Sequence, residues 1–384
     1  MAAGAARTSF TVPPGRHAGE PPEHRGLTRD GVRLLVAQPG RIDHARFHDL
    51  PRFLGPGDIV VVNTSATLPA AVAGTVIGPA GHNPDVHVAT ELPDGSWIIE
   101  VRSPDGAGPD TSLAPGRVIV LPEDRRLILA SSFPEPGRPT SRLWKARPEA
   151  DGDTLPDRPG YLSAHGRPIA YGHLAGRFPL SDYQTTYGTQ PGSAELVSAG
   201  RPFTDRILVR LMTHGVTVAP LILHTGVSSP EAHEPPASEE FDVPVDTARL
   251  VNSAGRAGRR VVAVGTTVAR ALETVTGRDG VVRAGAGWTD LVLTAERPAR
   301  VVTGLITGLH EANASHLMLL ESVAGPPLVA EAYAAALDVA PDDGAPSGDT
   351  PYLWHEFGDS MLLLPSAKAG PWRAAARHRR GTWT

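Results

Sequence analysis

The chain is expected to fold as an α/β body interrupted by an antiparallel β-barrel domain. Short, wholly apolar runs recur beside stretches of helical periodicity, residues 261–264 followed by 266–275 being the clearest case. Between residues 69 and 157 that rhythm stops, and short β-type runs alternate with turns rich in Gly, Pro and Asp. The 384 residues, 41% hydrophobic and 20% charged, describe a globular chain with a substantial core. Length alone allows two or three domains of roughly 150 residues each.

Composition also excludes. With no cysteine there is no disulfide framework, thiolate metal site or cysteine nucleophile. No apolar run approaches the roughly 20 residues of a membrane span, and the N-terminus lacks the apolar centre of a signal peptide. The absence of cysteine suits the cytoplasm, no membrane partner is expected, and the chain is taken to be a monomer. The net charge of −5 argues against indiscriminate nucleic-acid binding, which needs a basic surface. The 41 glycines and 38 prolines point to many turns.

In chain order, residues 1–20 read as a flexible lead-in and 21–68 as the first part of the α/β body. Residues 29–36 form a charged turn running into a strand. His44 and His48 stand at i, i+4, a spacing that holds a metal when both lie on a helix; without a third ligand nearby they read as surface histidines. Residues 59–63 are a buried strand ending in Asn63. Residues 69–157 form the inserted domain, with strands expected at 86–89, 97–102, 118–121 and 127–130. In 97–102, Trp97, Ile99 and Val101 share one face and Glu100 and Arg102 the other, so a half-buried strand is expected.

Residues 148–168 have linker composition. The main body is assigned to 158–365 and a basic, disordered tail to 366–384. Thr204 is placed to cap a helix whose face is Ile207, Leu208, Leu211 and Met212, and which Gly215 ends. Residues 216–223 form a strand delivering His224, and Asp246 caps the next helix. Residues 300–307 form a strand delivering His310. Helices at 313–323 and 328–337 and a strand at 357–364 complete the body.

Ligands of open α/β sheets bind beyond the carboxyl ends of the strands. Three such ends carry polar groups: His224, Gly265-Thr266-Thr267, and His310. Gly265 permits a tight turn, Thr266 or Thr267 can cap the helix that follows, and free N–H groups there suit an anion. No glycine-rich dinucleotide fingerprint, phosphate-binding loop, His-Glu-x-x-His helix or Gly-x-Ser-x-Gly elbow occurs.

Residues 263–273, AVGTTVARALE, resemble the signature of the S-adenosylmethionine:tRNA ribosyltransferase-isomerase family of queuosine biosynthesis. Further blocks follow in the family's order from about Pro21 to Leu364: Arg33-Leu34-Leu35-Val36, Phe47-His48-Asp49-Leu50, Val61-Val62-Asn63, Tyr183-Gln184-Thr185 with Tyr187, Phe203-Thr204, Leu223-His224, Leu305-Ile306-Thr307 with His310, and Phe357-Gly358-Asp359. The resemblance implies an α/β body carrying a β-barrel, and transfer of the ribosyl part of S-adenosylmethionine, a co-substrate, to a 7-aminomethyl-7-deazaguanine in tRNA. Epoxyqueuosine forms, and adenine and methionine leave. No metal is expected.

Such chemistry needs a base beside the sulfonium and a donor for departing adenine, and histidines and carboxylates are the usual providers. His224, His310, Glu273 and Asp359 are the catalytic candidates. Thr266 and Thr267 are the expected seat of the methionine carboxylate, Arg270 and Tyr187 of donor or tRNA; Phe203, Thr204 and Asn63 complete the binding candidates.

Four segments depart from the family pattern. Its Asn-Asp-Thr-Arg is Asn63-Thr64-Ser65-Ala66 here, and Pro-Thr-Ala-Gly-Leu-His-Phe-Thr is Val197-Ser198-Ala199-Gly200-Arg201-Pro202-Phe203-Thr204. His-Met-His falls at Pro235-Pro236-Ala237, with His233 close by, and Asn-Phe-His-Leu-Pro is Gly308-Leu309-His310-Glu311-Ala312. These changes leave two other outcomes open: a paralogue acting on a free deazapurine nucleoside, or an inactive homologue that binds tRNA or S-adenosylmethionine.

Overall fold

The computed structural model describes residues 6–78, 81–106, 108–134, 142–149, 157–228, 237–312, 314–339 and 351–365. The expected basic tail, His233, Pro235 and Pro236, and most of the linker before Asp157 lie outside them.

The run Ile59–Asn63 forms a strand over the expected bounds, and so does Val261–Val264; every residue of both is buried. Valine and isoleucine have no polar face to offer solvent, so both strands take inner positions. Thr217–Leu223, Ile59–Asn63, Val261–Val264 and Gly304–Gly308 lie side by side, all parallel. The antiparallel strands Glu239–Val243 and Gly285–Thr289 extend this sheet on one side. On the other come Ser360–Leu363, Arg33–Gln38 and Arg41–Arg46, giving nine strands. Leu35, Val61, Ala263 and Leu305 pack one face with Leu272, Leu317 and Tyr333. Leu34, Val60, Val262 and Ile306 pack the other with Phe47, Phe203 and Ile207. Covered faces explain why these strands read as continuous apolar runs.

A second sheet of seven strands runs from Ala71–Ala73 to Leu143–Glu149, with every pairing antiparallel. Its core includes Trp97, Ile99, Leu127 and Trp144. The strand expected to be half-buried, Trp97–Val101, is buried at every residue. Glu100 faces away from Trp97 yet is 1% exposed. Arg102 and Arg142 meet its carboxylate at 2.8 and 2.9 Å, and His87 approaches to 3.4 Å. Burial opposes that charge, but His87 and the two arginines outweigh it and hold the carboxyl down to about 2. Alternation marks which face is polar; it does not reveal that the polar face is covered.

Other expectations change for physical reasons. Residues 6–20, read as a flexible lead-in, are pinned. The N–H groups of Arg7 and Thr8 donate to Glu321 Oε1 at 2.9 and 2.6 Å, and Ala18 N–H donates to Trp354 O. Part of the linker composition hides the helix Arg158–His165, whose Asp157 cap accepts from Gly160 N–H at 3.1 Å. Thr204 does cap the helix Asp205–Thr213, accepting from Ile207 N–H, and Gly215 follows it at φ +81°. Asp246 instead falls in the first turn of the helix Val245–Arg256, behind the N-cap Pro244. His44 lies on the strand Arg41–Arg46 and His48 in the 3₁₀ turn Phe47–Arg52, so no helix face joins them; His44 bonds Tyr352 Oη at 2.9 Å.

The strand expected from residue 300 begins at Gly304. The N–H groups of Arg300, Val301 and Val302 donate instead to Glu273, at 2.9, 2.8 and 3.0 Å. A buried carboxylate thus takes the donors a ladder would have used and ties the helix Thr266–Thr274 to the strand next in the sheet. Glu273→Ala should leave those three N–H groups unmatched and cost about 3 kcal/mol. A urea denaturation series reads this directly; a loss below about 1 kcal/mol would show the carboxylate to be dispensable.

Candidate active site

All four parallel strands end at one cavity of about 570 Å³. Thr67 reaches it from beyond Asn63, Thr225 and Gly226 from beyond Leu223, Gly265 to Thr267 from beyond Val264, and Thr307 to His310 from the fourth strand. Arg142, just before the strand Leu143–Glu149, and residues 169, 171, 173 and 194–199 line it as well. The cavity therefore lies at the carboxyl ends, where a parallel sheet leaves its crevice.

The helix Thr266–Thr274 begins without a side-chain cap. Gly265, not a threonine, is its N-cap, at φ +89°, a conformation that strains any residue with a Cβ. Gly265 N–H closes on Ile306 O at 2.8 Å, bending the chain from strand into helix. The first N–H groups of a helix have no intrahelical acceptor, and Gly265, Thr266 and Thr267 all line the cavity. A nine-residue helix thus points its positive end at the space.

His310 faces the same space. Its Nε2 bonds Thr307 Oγ1 at 2.8 Å, its N–H donates to Tyr333 Oη at 3.0 Å, and its ring stacks on His316 with centroids 4.5 Å apart. Burial, then His316 and His355, push His310 well below the usual histidine range. Burial and the Arg270 charge bring His316 down to about 4. Both imidazoles are neutral near pH 7, leaving nitrogen lone pairs free to accept a proton or hydrogen bond.

Arg270 also lines the cavity but spends its donors on the protein. It donates to Leu291 O at 3.1 Å and Thr289 O at 3.1 Å, and forms an ion pair with Glu239. Burial raises the Glu239 carboxyl, and Arg270 opposes that rise. The pair holds the edge strand Glu239–Val243 against the helix.

The remaining sequence candidates are elsewhere. Glu273 is bound to backbone N–H groups on the far side of its helix. Asp359 accepts from Arg33 N–H at 2.6 Å and Leu353 N–H at 2.8 Å, fixing a turn rather than facing the cavity. Phe203 is fully buried against Phe47, and Tyr187 packs on Phe203. Thr204 is the helix cap. Asn63 accepts from Leu223 N–H and donates to Leu223 O, at 3.0 and 2.7 Å. His224 bonds Ser65 Oγ at 2.7 Å; burial and Arg158 bring it down to about 4. So Thr266, Thr267, Arg270 and His310 meet at the cavity, and the other seven support it or lie apart.

Sequence reading passed over several lining residues. Glu195 accepts from Ser228 N–H at 2.9 Å and Ser228 Oγ at 2.6 Å, and from Tyr171 Oη; burial raises its carboxyl. His173, His316, His355 and Glu356 line the wall as well. None of them shares a periodic pattern with another candidate. Two had a nearby signal: Glu195 lies two residues before the segment 197–204, and Glu356 directly precedes the block Phe357-Gly358-Asp359.

The neutral histidines make stability depend on acid. His316 is depressed in the folded chain, so the unfolded chain binds the proton first. Its contribution is complete above about pH 6.5 and is lost as pH falls toward 4. Moving from pH 7 to pH 5 should therefore cost about 2 kcal/mol at this site. Urea melts at the two pH values should show that loss, and His316→Phe should reduce it; an equal loss in the variant would rule this histidine out as the source.

The family whose members are described as queuosine biosynthesis protein matches residues 6–363. The S-adenosylmethionine:tRNA ribosyltransferase-isomerase of Heliobacterium modesticaldum is 34% identical over 347 residues, 88% of this chain and 94% of that protein. The protein of the same name from Moorella thermoacetica is 34% identical over 372 residues, 92% of this chain and 98% of that one. The solved S-adenosylmethionine tRNA ribosyltransferase of Thermotoga maritima, 25% identical, gives a TM-score of 0.48 over 93% of this chain and 99% of its own. By the extent of the match and the identity of these relatives, the chain belongs to the queuosine biosynthesis family of S-adenosylmethionine:tRNA ribosyltransferase-isomerases.

Proposed function

We propose that this chain transfers the ribosyl part of S-adenosylmethionine to 7-aminomethyl-7-deazaguanine in tRNA and isomerises it to epoxyqueuosine, releasing adenine and methionine. The observation that carries the reading is one cavity combining an open helix start with neutral histidines at the carboxyl ends of four parallel strands, in a chain related to these enzymes along nearly its whole length. The helix start at Thr266 and Thr267 suits the methionine carboxylate, which needs N–H donors and positive potential. His310 suits removal of the proton beside the sulfonium, since its ring is neutral and Thr307 Oγ1 fixes its orientation. Glu195, raised by burial, suits a proton donor to adenine as its bond to ribose breaks.

The barrel expected for the inserted domain is part of the same reading. Ala71–Ala73 and Thr75–Val76 are consecutive in the chain yet stand at opposite ends of the seven-strand order, the arrangement that closes a sheet on itself. The substrate partners are S-adenosylmethionine and tRNA, and the chain acts as a cytoplasmic monomer. Among the described residues no helix is long and apolar enough to cross a membrane.

Adenine release should be followed with S-adenosylmethionine and tRNA bearing the aminomethyl deazaguanine, and in parallel with the free nucleoside. Release with tRNA alone is expected. Release with the nucleoside alone would replace tRNA as acceptor, and binding without release would mark an inactive homologue. His310→Ala should lower turnover by about 100-fold or more with the fold retained; unchanged turnover removes His310 from the chemistry.

A further inference from the structure

His173 and His355 line one wall of the cavity, and His17, far from both in sequence, packs against them. His17 Nε2 is 2.9 Å from Glu311 Oε1, and His355 Nε2 is 3.5 Å from the same oxygen. His173 Nε2 is 3.4 Å from Glu356 Oε2, and its ring stacks on His355 with centroids 4.1 Å apart. Two groups have all their ligand atoms within 4.8 Å of one another: His17, Glu311 and His355, and His173, His355 and Glu356.

Ring geometry separates the two. An imidazole binds a metal through a lone pair in the plane of the ring. His173 and His355 lie within 15° of parallel in a stack, so their ring planes run side by side and do not converge on one ion. The planes of His17 and His355 cross at 56° with centroids 4.6 Å apart, so their lone pairs can converge. Bonds of about 2.0–2.1 Å in a tetrahedral site place ligand atoms about 3.3 Å apart. The 3.5 Å separation of His355 from Glu311 is close to that, and the His17 pair needs a shift of a few tenths of an ångström.

We propose that His17, His355 and Glu311 bind one divalent first-row transition-metal ion, zinc, at the cavity wall. Two imidazoles, a carboxylate and no thiolate favour such an ion over calcium or magnesium, which take oxygen ligands. The ion joins three separate segments: the N-terminal stretch that bridges at His17 to Trp354, the loop after the strand Gly304–Gly308, and the turn at His355. His355 holds φ +73°, a left-handed backbone that is uncommon for a residue with a Cβ, and Gly358 N–H closes that turn on His355 O at 2.9 Å. His173 and Glu356 then act from outside the ligand set, covering one face of the His355 ring. Sequence spacing had pointed to His44 and His48 if to any metal pair, and to no metal overall. The inference stands apart from the ribosyl-transfer reading, since its test measures no turnover.

The test is calorimetric titration of the chelator-treated full chain with zinc chloride, alongside melting curves with and without zinc. One equivalent should bind and raise the melting temperature. His17→Ala and His355→Asn should each weaken binding at least about tenfold, whereas His214→Ala, an exposed histidine, should leave it unchanged. Asparagine tolerates the left-handed backbone at 355, so that variant tests the ligand and not the turn. If it melts much earlier than the parent chain, His17→Ala, at the more exposed position, decides alone. Absence of saturable binding overturns the proposal. So does binding unchanged in both variants, or lost in His173→Ala while intact in His17→Ala.

Discussion

The side-chain amide of Asn63 fixes where the central strands stop. It is fully buried, and both its ends are used: Oδ1 accepts from Leu223 N–H and Ser65 N–H, each at 3.0 Å, while Nδ2 donates to Leu223 O at 2.7 Å. Two neighbouring parallel strands are thereby locked at their last residues, and the chain beyond each must turn away there. After Asn63 it runs through Ser65 toward the seven-stranded sheet; after Leu223 it runs through His224 into the cavity wall. Nδ2 also approaches Thr267 Oγ1 at 3.4 Å, which brings the start of the helix Thr266–Thr274 to the same level. A satisfied buried amide in a low-dielectric interior leaves little freedom of position. The floor of the cavity is set by this one side chain, and the sequence reading had placed it among the residues touching substrate.

Around that floor, burial disfavours charge on several groups. His310 and His316 are neutral, and the carboxyls of Glu195 and Glu239 are raised. Arg270, the cation nearest the helix start, is committed to Glu239 and to carbonyls. What remains open to a ligand is the helix start and a set of groups that can gain or give a proton. In the proposed reaction the donor arrives as a sulfonium cation with a carboxylate at its far end. The helix start matches the carboxylate, and lone pairs and carboxyls match the cation.

The sequence made the inner strands legible because burial on both faces writes itself as an uninterrupted apolar run, and Ile59–Asn63 and Val261–Val264 came out residue for residue. It made one wall of the cavity legible for a related reason: Gly265, Thr266, Thr267 and His310 follow directly from strand ends. The carboxylates were a different matter. Glu273 and Asp359 stand in signature blocks and look chemical, yet Glu273 is consumed by the N–H groups of residues 300–302, and Asp359 by those of the distant Arg33 and of Leu353 in its own turn. Nothing local announces such long-range pairing. The same holds for His17, His173 and His355, whose meeting depends on three loops coming together. A side chain's periodic neighbours predict its burial; its function depends on partners hundreds of residues away.

The departures at 64–66 take on a physical meaning in this frame. Thr64 Oγ1 donates to Leu221 O at 3.1 Å, and Ser65 Oγ pairs with Ser193 Oγ at 2.6 Å and with His224 Nδ1 at 2.7 Å. Ala66 packs beside Gly188, within the parallel pairing of Ser65–Thr67 with Gln190–Ser193. An acid and an arginine in the family pattern are here replaced by small groups that are satisfied internally. The turn carries no charged side chain here. Thr67, next along, lines the cavity. Gly265 to Thr267, by contrast, keep the residues of the signature that the chain resembles. On the proposed reading, with the helix start at Thr266 and Thr267 holding the donor's carboxylate, a change of substrate relative to the relatives would fall on the acceptor and not on the donor.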